Sequence, residues 1–385
     1  MFNAFKLNNL RISGPISISY YEIRGRDFFF FGDKHLSESG KCFINLFNNN
    51  KIEITELFDK VLSNKLPDDQ KIDFFLETAI YSETINNEKK INENKINENK
   101  INKDKLNEER HGPLLDLRKK FKDCFKSPEN KCIFKYPSGR FHQIDTRQRV
   151  NRNNIGKLTF FTKYSIILKS LAFGDVTGKI LKSDNEYGMK ISKILEVKDI
   201  IMIIDPNQLI KMVKDYLRKP NLDWEYPKDK IDAFEAGEFP GINIVKQQIL
   251  NTPADIKDKI MTFYKERALQ IISNYKNIYK ELDDFFTKFL LSKNITVNSK
   301  NINKLIFMNS LIMFNLDGLI TDVYTIAKMF DKDLMEKSKE VWLYAGDGHI
   351  ETIRFFMNKY LNVEKSFYSD KISERCHSLV KYSTL

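Results

Sequence analysis

Phe28-Phe29-Phe30-Phe31-Gly32-Asp33-Lys34-His35 and Val341-Trp342-Leu343-Tyr344-Ala345-Gly346-Asp347-Gly348-His349 are two copies of one phrase, an apolar run that stops at Gly-Asp-x-His. The chain holds five histidines, and two of them fall in this setting. A run that is apolar on both faces fits a central strand covered on both sides. A glycine after such a strand lets the backbone turn tightly. A histidine three residues on then projects from the C-terminal edge of the sheet, where open α/β sheets bind ligands. Composition alone yields one Gly-Asp-x-His in roughly one chain in a hundred of this length. Two copies after strand-like runs therefore point to two neighbouring turns.

The flanks extend the pattern. Ile16-Ser17-Ile18-Ser19-Tyr20-Tyr21-Glu22-Ile23 alternates with period two, with Gly14-Pro15 before it and Gly25-Arg26-Asp27 after it. With the phenylalanine run this predicts a hairpin. Thr55 can cap a helix from Glu56 to about Leu66, with Leu57, Phe58, Val61 and Leu62 on one face. Ile72-Asp73-Phe74-Phe75-Leu76 is a second short strand, ending at Glu77. Strand, helix, strand at this spacing predicts a parallel βαβ unit, with Glu77 at the same edge as His35. Leu114, Leu117, Phe121 and Phe125 predict a helix from Pro113 to Phe125, and Cys132 to Tyr136 reads as another strand. Phe141-His142-Gln143-Ile144-Asp145 leaves His142 free to face either way, and Arg147, Arg149 and Arg152 form a basic cluster behind it.

Residues 82–110 are low in complexity, built on a decaying Lys-Ile-Asn-Glu-Asn unit that matches neither helix nor strand and reads as a disordered insertion. The region 156–335 reads mostly as helix: 164–173, 205–218 opened by Asp205-Pro206, a long helix from Thr252-Pro253 to about Leu291, and 305–330 carrying Asp317, Asp322 and Tyr324. Residues 220–240 read as a loop. A helix from Ile350 to about Leu361 follows the last strand, and the end with Cys376 and His377 reads as a loosely attached tail. The expected fold is a single α/β domain, a central mostly parallel sheet flanked by helices. Its sheet core lies at about 8–150 and 338–362, with a large helical insertion at about 156–335.

The 385 residues are 42% hydrophobic, so a sizeable core is expected, and 30 Phe make it aromatic. The formal net charge is +11, which favours acidic partners: nucleic acid, an anionic membrane face or an acidic protein. A lysine-rich solvated surface is the plainer account of the same charge. Cys42, Cys124, Cys132 and Cys376 show neither a CxxC pair nor zinc-ligand spacing and read as reduced thiols of a cytosol-like compartment. No apolar run approaches the ~20 residues that span a bilayer, and the first residues do not read as a signal peptide. An intracellular protein, cytoplasmic or packaged in a virion, is expected.

His35 and His349 from adjacent strands, with Glu77, make a set of ligands for a divalent ion such as Mn, Co or Zn. Such an ion lowers the pKa of bound water to near neutrality. Asp33, Asp347 and Glu77 supply carboxylates, one of which can serve as general base, and Arg147 can supply a fixed cation for an oxyanion or an anionic substrate. Each residue also has an ordinary reading: a hydrogen-bonded structural histidine, a turn aspartate, a surface glutamate, a salt-bridged arginine. Asp347 can instead cap the helix that follows it.

The constellation resembles a family. A strand ending in Gly-acidic-x-His, here Gly32-Asp33-Lys34-His35, is similar to the first motif of the erythromycin-esterase and ChaN-like proteins, where the acidic residue is usually Glu. A late Gly346-Asp347-Gly348-His349 followed by a helix resembles the TIKI/TraB-type members of the same superfamily. Phe75-Leu76-Glu77 and Asp145-Thr146-Arg147 match its intervening Glu and Arg. The resemblance implies an α/β fold and metal-dependent peptidase or esterase chemistry. The Lys/Asn/Ile-rich composition and the insertion resemble proteins of large DNA viruses. The competing expectations are a catalytically inactive structural or interaction protein, such as a virion component with protein partners, and a non-specific nucleic-acid binder acting through its basic surface.

Overall fold

The structure is a computed structural model. It describes residues 11–33, 51–67, 70–79, 113–126, 131–146, 228–239, 243–291, 318–370 and 376–378, with a few positions at 211–215 and 315–316. The predicted helix at 164–173, the 82–110 insertion, His35 and Arg147 lie outside the described residues. The chain divides into two compact units, one of Met1–Gln148, Ile244–Phe263 and Thr321–Leu385, the other of Arg149–Asn243 and Tyr264–Ile320.

The strands are β1 (Arg11–Ser13), β2 (Ser17–Ile23), β3 (Arg26–Asp33), β4 (Lys51–Glu53), β5 (Ile72–Ala79), β6 (Gly139–Asp145), β7 (Glu340–Gly346), β8 (Phe367–Asp370) and β9 (Cys376–Ser378). The helices used below are α1 (Ile54–Ser63), α2 (Pro113–Lys120), α3 (Lys122–Lys126), α4 (Lys131–Lys135), α5 (Lys228–Glu235), α6 (Ala254–Leu291), α7 (318–329) and α8 (Asp347–Lys359).

The first unit is built on a six-stranded sheet of order β6-β5-β7-β3-β2-β8. The hairpin expected from the alternation is present: β2 pairs antiparallel with β3 from Ser17↔Gly32 to Ile23↔Arg26. Arg24 and Gly25 close it at φ 56° and 70°. Left-handed residues at both central positions suit the twist of a two-residue hairpin. β3 runs parallel to β7, β7 to β5 and β5 to β6. The fold is thus α/β with a mostly parallel sheet, and the two apolar runs that opened the sequence are neighbours in it. The C-terminal segment read as a loose tail instead supplies β8, which pairs with β2, and β9, which joins β1 and β4 in a small second sheet.

One sheet face carries Phe31, Phe74, Trp342 and Tyr344, which pack with Leu57, Phe58, Val61 and Leu62 of α1 and Leu114 and Leu117 of α2. Phe58 meets Phe74 edge-on at 4.9 Å and Trp342 at 5.3 Å. Such ring pairs add about 0.5–1.5 kcal/mol each beyond area burial. On the other face Phe28 meets Phe330, just past α7, at 5.4 Å, and α8 packs along β3. The start of α6 reaches this side, where Phe263 touches Phe356 of α8. In the second unit, Tyr264 stacks on Phe239 at 4.3 Å and donates to the Glu238 carbonyl.

Three local readings are corrected. The stretch from Cys132 to Tyr136 is not a strand: Lys131–Lys135 is helical, and Tyr136 N closes a turn on Cys132 O. Cys124 and Cys132 are not thiols but a disulfide, because α3 and α4 fold back and bring their Cα atoms to 5.0 Å. Residues 220–240 contain a helix, α5, ended by Gly237 at φ 74° with Glu238 N bonded back to Ala233 O.

Candidate functional site

The parallel strands end at one edge of the sheet. Asp33, the last residue of β3, pairs with Gly346, the last of β7, so the two Gly-Asp-x-His turns leave from adjacent strands. Asp33 is buried and accepts from Leu114 N, in the first turn of α2, at 3.2 Å. A carboxylate there complements the positive end of the helix, so Asp33 has a structural task whatever else it does.

The second turn is tighter than expected. Gly346 is the N-cap of α8 with no side-chain cap bond, and the helix begins at Asp347 rather than at Ile350. His349 is therefore in the first helical turn. Asp347 does not cap: its carboxylate bonds Ser17 Oγ and lies 3.6 Å from Arg354. It also lies over Gly32, where a Cβ would collide with Asp347 Oδ1 and Ser17 Oγ. The glycine of the first copy thus makes room for the aspartate of the second.

Glu77, near the end of β5, is 1% exposed, and its Oε2 accepts from Gly346 N at 2.7 Å. Its Oε1 lies 4.0 Å from His349 Nε2 and 3.8 Å from an Arg118 guanidinium nitrogen. Arg118, on α2, also donates through Nε to the Glu77 carbonyl. His349 Nδ1 lies 2.6 Å from Asp322 Oδ1, on α7. The next residue back, Thr321, shares a 2.9 Å hydroxyl contact with Thr146, just past β6. Strands β5, β6 and β7 and helices α2, α7 and α8 therefore converge on Glu77 and His349.

Of the expected site residues, the structure brings Glu77 and His349 together and places Asp33 on the neighbouring strand end. His35 and Arg147 lie outside the described residues. Asp322 and Arg118 were not singled out as site residues by sequence. Asp322 was read only as one of the residues, with Asp317 and Tyr324, carried by the 305–330 helix, and an acid within that apolar segment was the signal that could have found it. Arg118 carried no distinguishing signal among the lysines around it. His142 turns away from this edge and bonds Asp73.

The arrangement fixes a ring between two carboxylates. A carboxylate at Nδ1 accepts a hydrogen bond from an N–H there, and a neutral ring in that tautomer carries its lone pair on Nε2, the nitrogen facing Glu77. Nε2 and Oε1 are a nitrogen and an oxygen donor of the kind Mn, Co and Zn take. Among the described residues no three His, Cys, Asp or Glu side chains are gathered as a metal site; Glu77 and His349 supply two. No helix among the described residues is long and apolar enough to cross a membrane. Comparison with known proteins finds no matching family model, no matching curated protein and no matching solved structure.

Proposed function

We propose that this edge of the sheet is a metal-dependent hydrolase site of peptidase or esterase type. The observation that carries the reading is the relay Asp322–His349–Glu77, with His349 Nδ1 committed at 2.6 Å and Nε2 turned toward a buried carboxylate. Glu77 Oε1 and His349 Nε2 would hold a divalent ion, with His35, which follows Asp33 by two residues in the sequence, as the third ligand expected. The ion would supply Lewis acidity and a nucleophile near neutral pH. Asp322 orients the ring and fixes its tautomer, as carboxylates behind ligating histidines do. Gly346 N–H fixes the rotamer of Glu77, and Arg118 places a cation beside it. Asp33 serves mainly α2 in this reading, and Glu77, with one oxygen toward the ion and the other on Gly346 N–H, would act as a ligand. The motif resemblance to the erythromycin-esterase, ChaN-like and TIKI/TraB-type proteins supports the same chemistry.

A structural role without turnover is the second reading, as in a virion component that retains the fold. It is favoured by the bonds the acids already make: Asp33 to Leu114, Asp347 to Ser17, Glu77 to Gly346. Calorimetric titration with Mn, Co and Zn separates the two. Stoichiometric binding by the wild type, lost in Glu77→Gln and His349→Ala variants that remain folded, is the expected result. Absence of binding, or equal binding by the variants, would leave the structural role.

A further inference from the structure

Glu77 Oε1, the oxygen that faces His349 Nε2 at 4.0 Å, also faces an Arg118 guanidinium nitrogen at 3.8 Å. The oxygen assigned to an ion and the oxygen paired with a protein cation are therefore the same atom. Glu77 is 1% exposed, so its charge needs a compensating one close by. Arg118 gives that compensation from α2, and gives it loosely, because 3.8 Å is ion-pair range and not a hydrogen bond. Its firm bond runs elsewhere, from Nε to the Glu77 backbone carbonyl. The Arg118 side chain is also 34% exposed. The guanidinium is thus tethered beside the carboxylate by the main chain and is not locked onto it. Arg140, at the far end of the same strand, is the opposite case, with two 2.8 Å bonds on Asp73.

We propose that Arg118 is a built-in competitor for the ion: its pairing with Glu77 Oε1 and the binding of a divalent ion there exclude each other, and the guanidinium turns outward on its Nε tether when it yields. This competition presupposes the metal-dependent reading above and adds how loading of that site is held back. Like charges directed at one carboxylate oxygen repel. Arg118 therefore lowers metal affinity while it spares the fold a buried carboxylate without a counter-charge. A carboxylate that orients a ligand, as Asp322 orients His349, acts with the opposite sign and raises affinity.

Calorimetric Zn titration of the full chain tests this. Arg118→Gln should bind Zn about fivefold more tightly than the wild type. Arg118→Lys, which keeps the charge and loses the Nε bond, should stay near the wild type. After treatment with a chelator, Arg118→Gln should show a lower urea midpoint than the wild type, and saturating Zn should close that difference. Zn should also speed modification of Arg118 by phenylglyoxal in the wild type, a readout that needs no variant. If Arg118 only braces Glu77, both variants bind Zn more weakly and the phenylglyoxal rate does not rise. That result would overturn the competition and leave the hydrolase reading standing, whereas a wild type that binds no Zn, Mn or Co would overturn both.

Discussion

Asp73 and Glu77 lie four residues apart on β5, on the same face of the strand, and both are buried. At the N-terminal end, Asp73 takes two hydrogen bonds of 2.8 Å from Arg140, one of 2.8 Å with His142, one of 3.1 Å from Arg26 and one of 2.5 Å from Ser338. At the C-terminal end, Glu77 takes 2.7 Å from a backbone N–H and faces its cation and its histidine at 3.8 and 4.0 Å. One acid is the centre of a tight ionic knot that ties β3, β5, β6 and the entrance to β7. The other has one oxygen on a backbone N–H and the second facing a guanidinium and an imidazole at longer range. The same strand thus carries a dense ionic fastening at one end and a carboxylate paired with a histidine at the other. That difference in partners, rather than burial or charge, distinguishes the candidate site.

The largest test of this contrast removes the fastening. Asp73→Ala leaves Arg26, only 4% exposed, as a buried cation without its carboxylate. Breaking a buried pair in this way costs about 3–5 kcal/mol, read as a lowered urea midpoint. Glu77→Gln keeps an acceptor for Gly346 N–H and should cost about 1 kcal/mol or less. Equal losses would mean that both ends are structural. Acid should expose the same asymmetry. Burial alone would raise the Asp73 pKa, but the bonds and charges of His142 and Arg140 overcome it and hold the carboxyl far below the usual range. A carboxyl depressed in the folded state stabilises above its unfolded pKa of about 3.9 and loses that contribution as the pH falls toward the folded value. The wild-type urea midpoint should therefore drop steeply below about pH 4, and Asp73→Asn should flatten that drop.

The second test acts on the other end. Asp322→Asn weakens the acceptor that orients His349 through Nδ1. Loss of such a supporting carboxylate costs about 10–100-fold in metal affinity. A Zn or Mn titration that moves by that factor, with a small change in urea midpoint, marks Asp322 as a positioning residue. A change confined to stability would mark it as ordinary packing.

Much of this frame was legible in the sequence, and the reasons are local. Four consecutive phenylalanines, and Val341 to Ala345, can only be covered on both sides, which makes them central strands. Leu57, Phe58, Val61 and Leu62 at helical spacing specified the buried face of α1, and all four are buried. Glu77 was placed at the right edge because strand, helix, strand has one common topology. Illegible parts depended on long-range partners. Asp322 reaches His349 across 27 residues of sequence and Arg118 reaches Glu77 across 41. The disulfide was invisible because a spacing of eight matches no motif. The cap offered as one role for Asp347 is not made, and its actual partner, Ser17, was out of reach of sequence because it lies 330 residues away. Local period gives elements and faces, whereas contacts between elements require the fold.

The smallest expected effect bears on how the helix behind His349 is kept in register with the sheet. Thr146 Oγ1 and Thr321 Oγ1 meet at 2.9 Å, and both residues are buried. Thr321 immediately precedes Asp322, so this contact ties the end of β6 to the helix turn that orients the histidine. Thr146→Val removes one hydroxyl, keeps the shape, and leaves the Thr321 hydroxyl without its partner. The expected cost is about 1 kcal/mol. Valine at both positions removes donor and acceptor together and should cost less than the single change. If the pair were only packing, single and double variants would add. If it sets the height of Asp322, Thr146→Val should also lower metal affinity by a few fold, and the double variant should not restore it. A stability cycle and a metal titration on the same three variants therefore separate a bond that holds the fold from one that aligns the site.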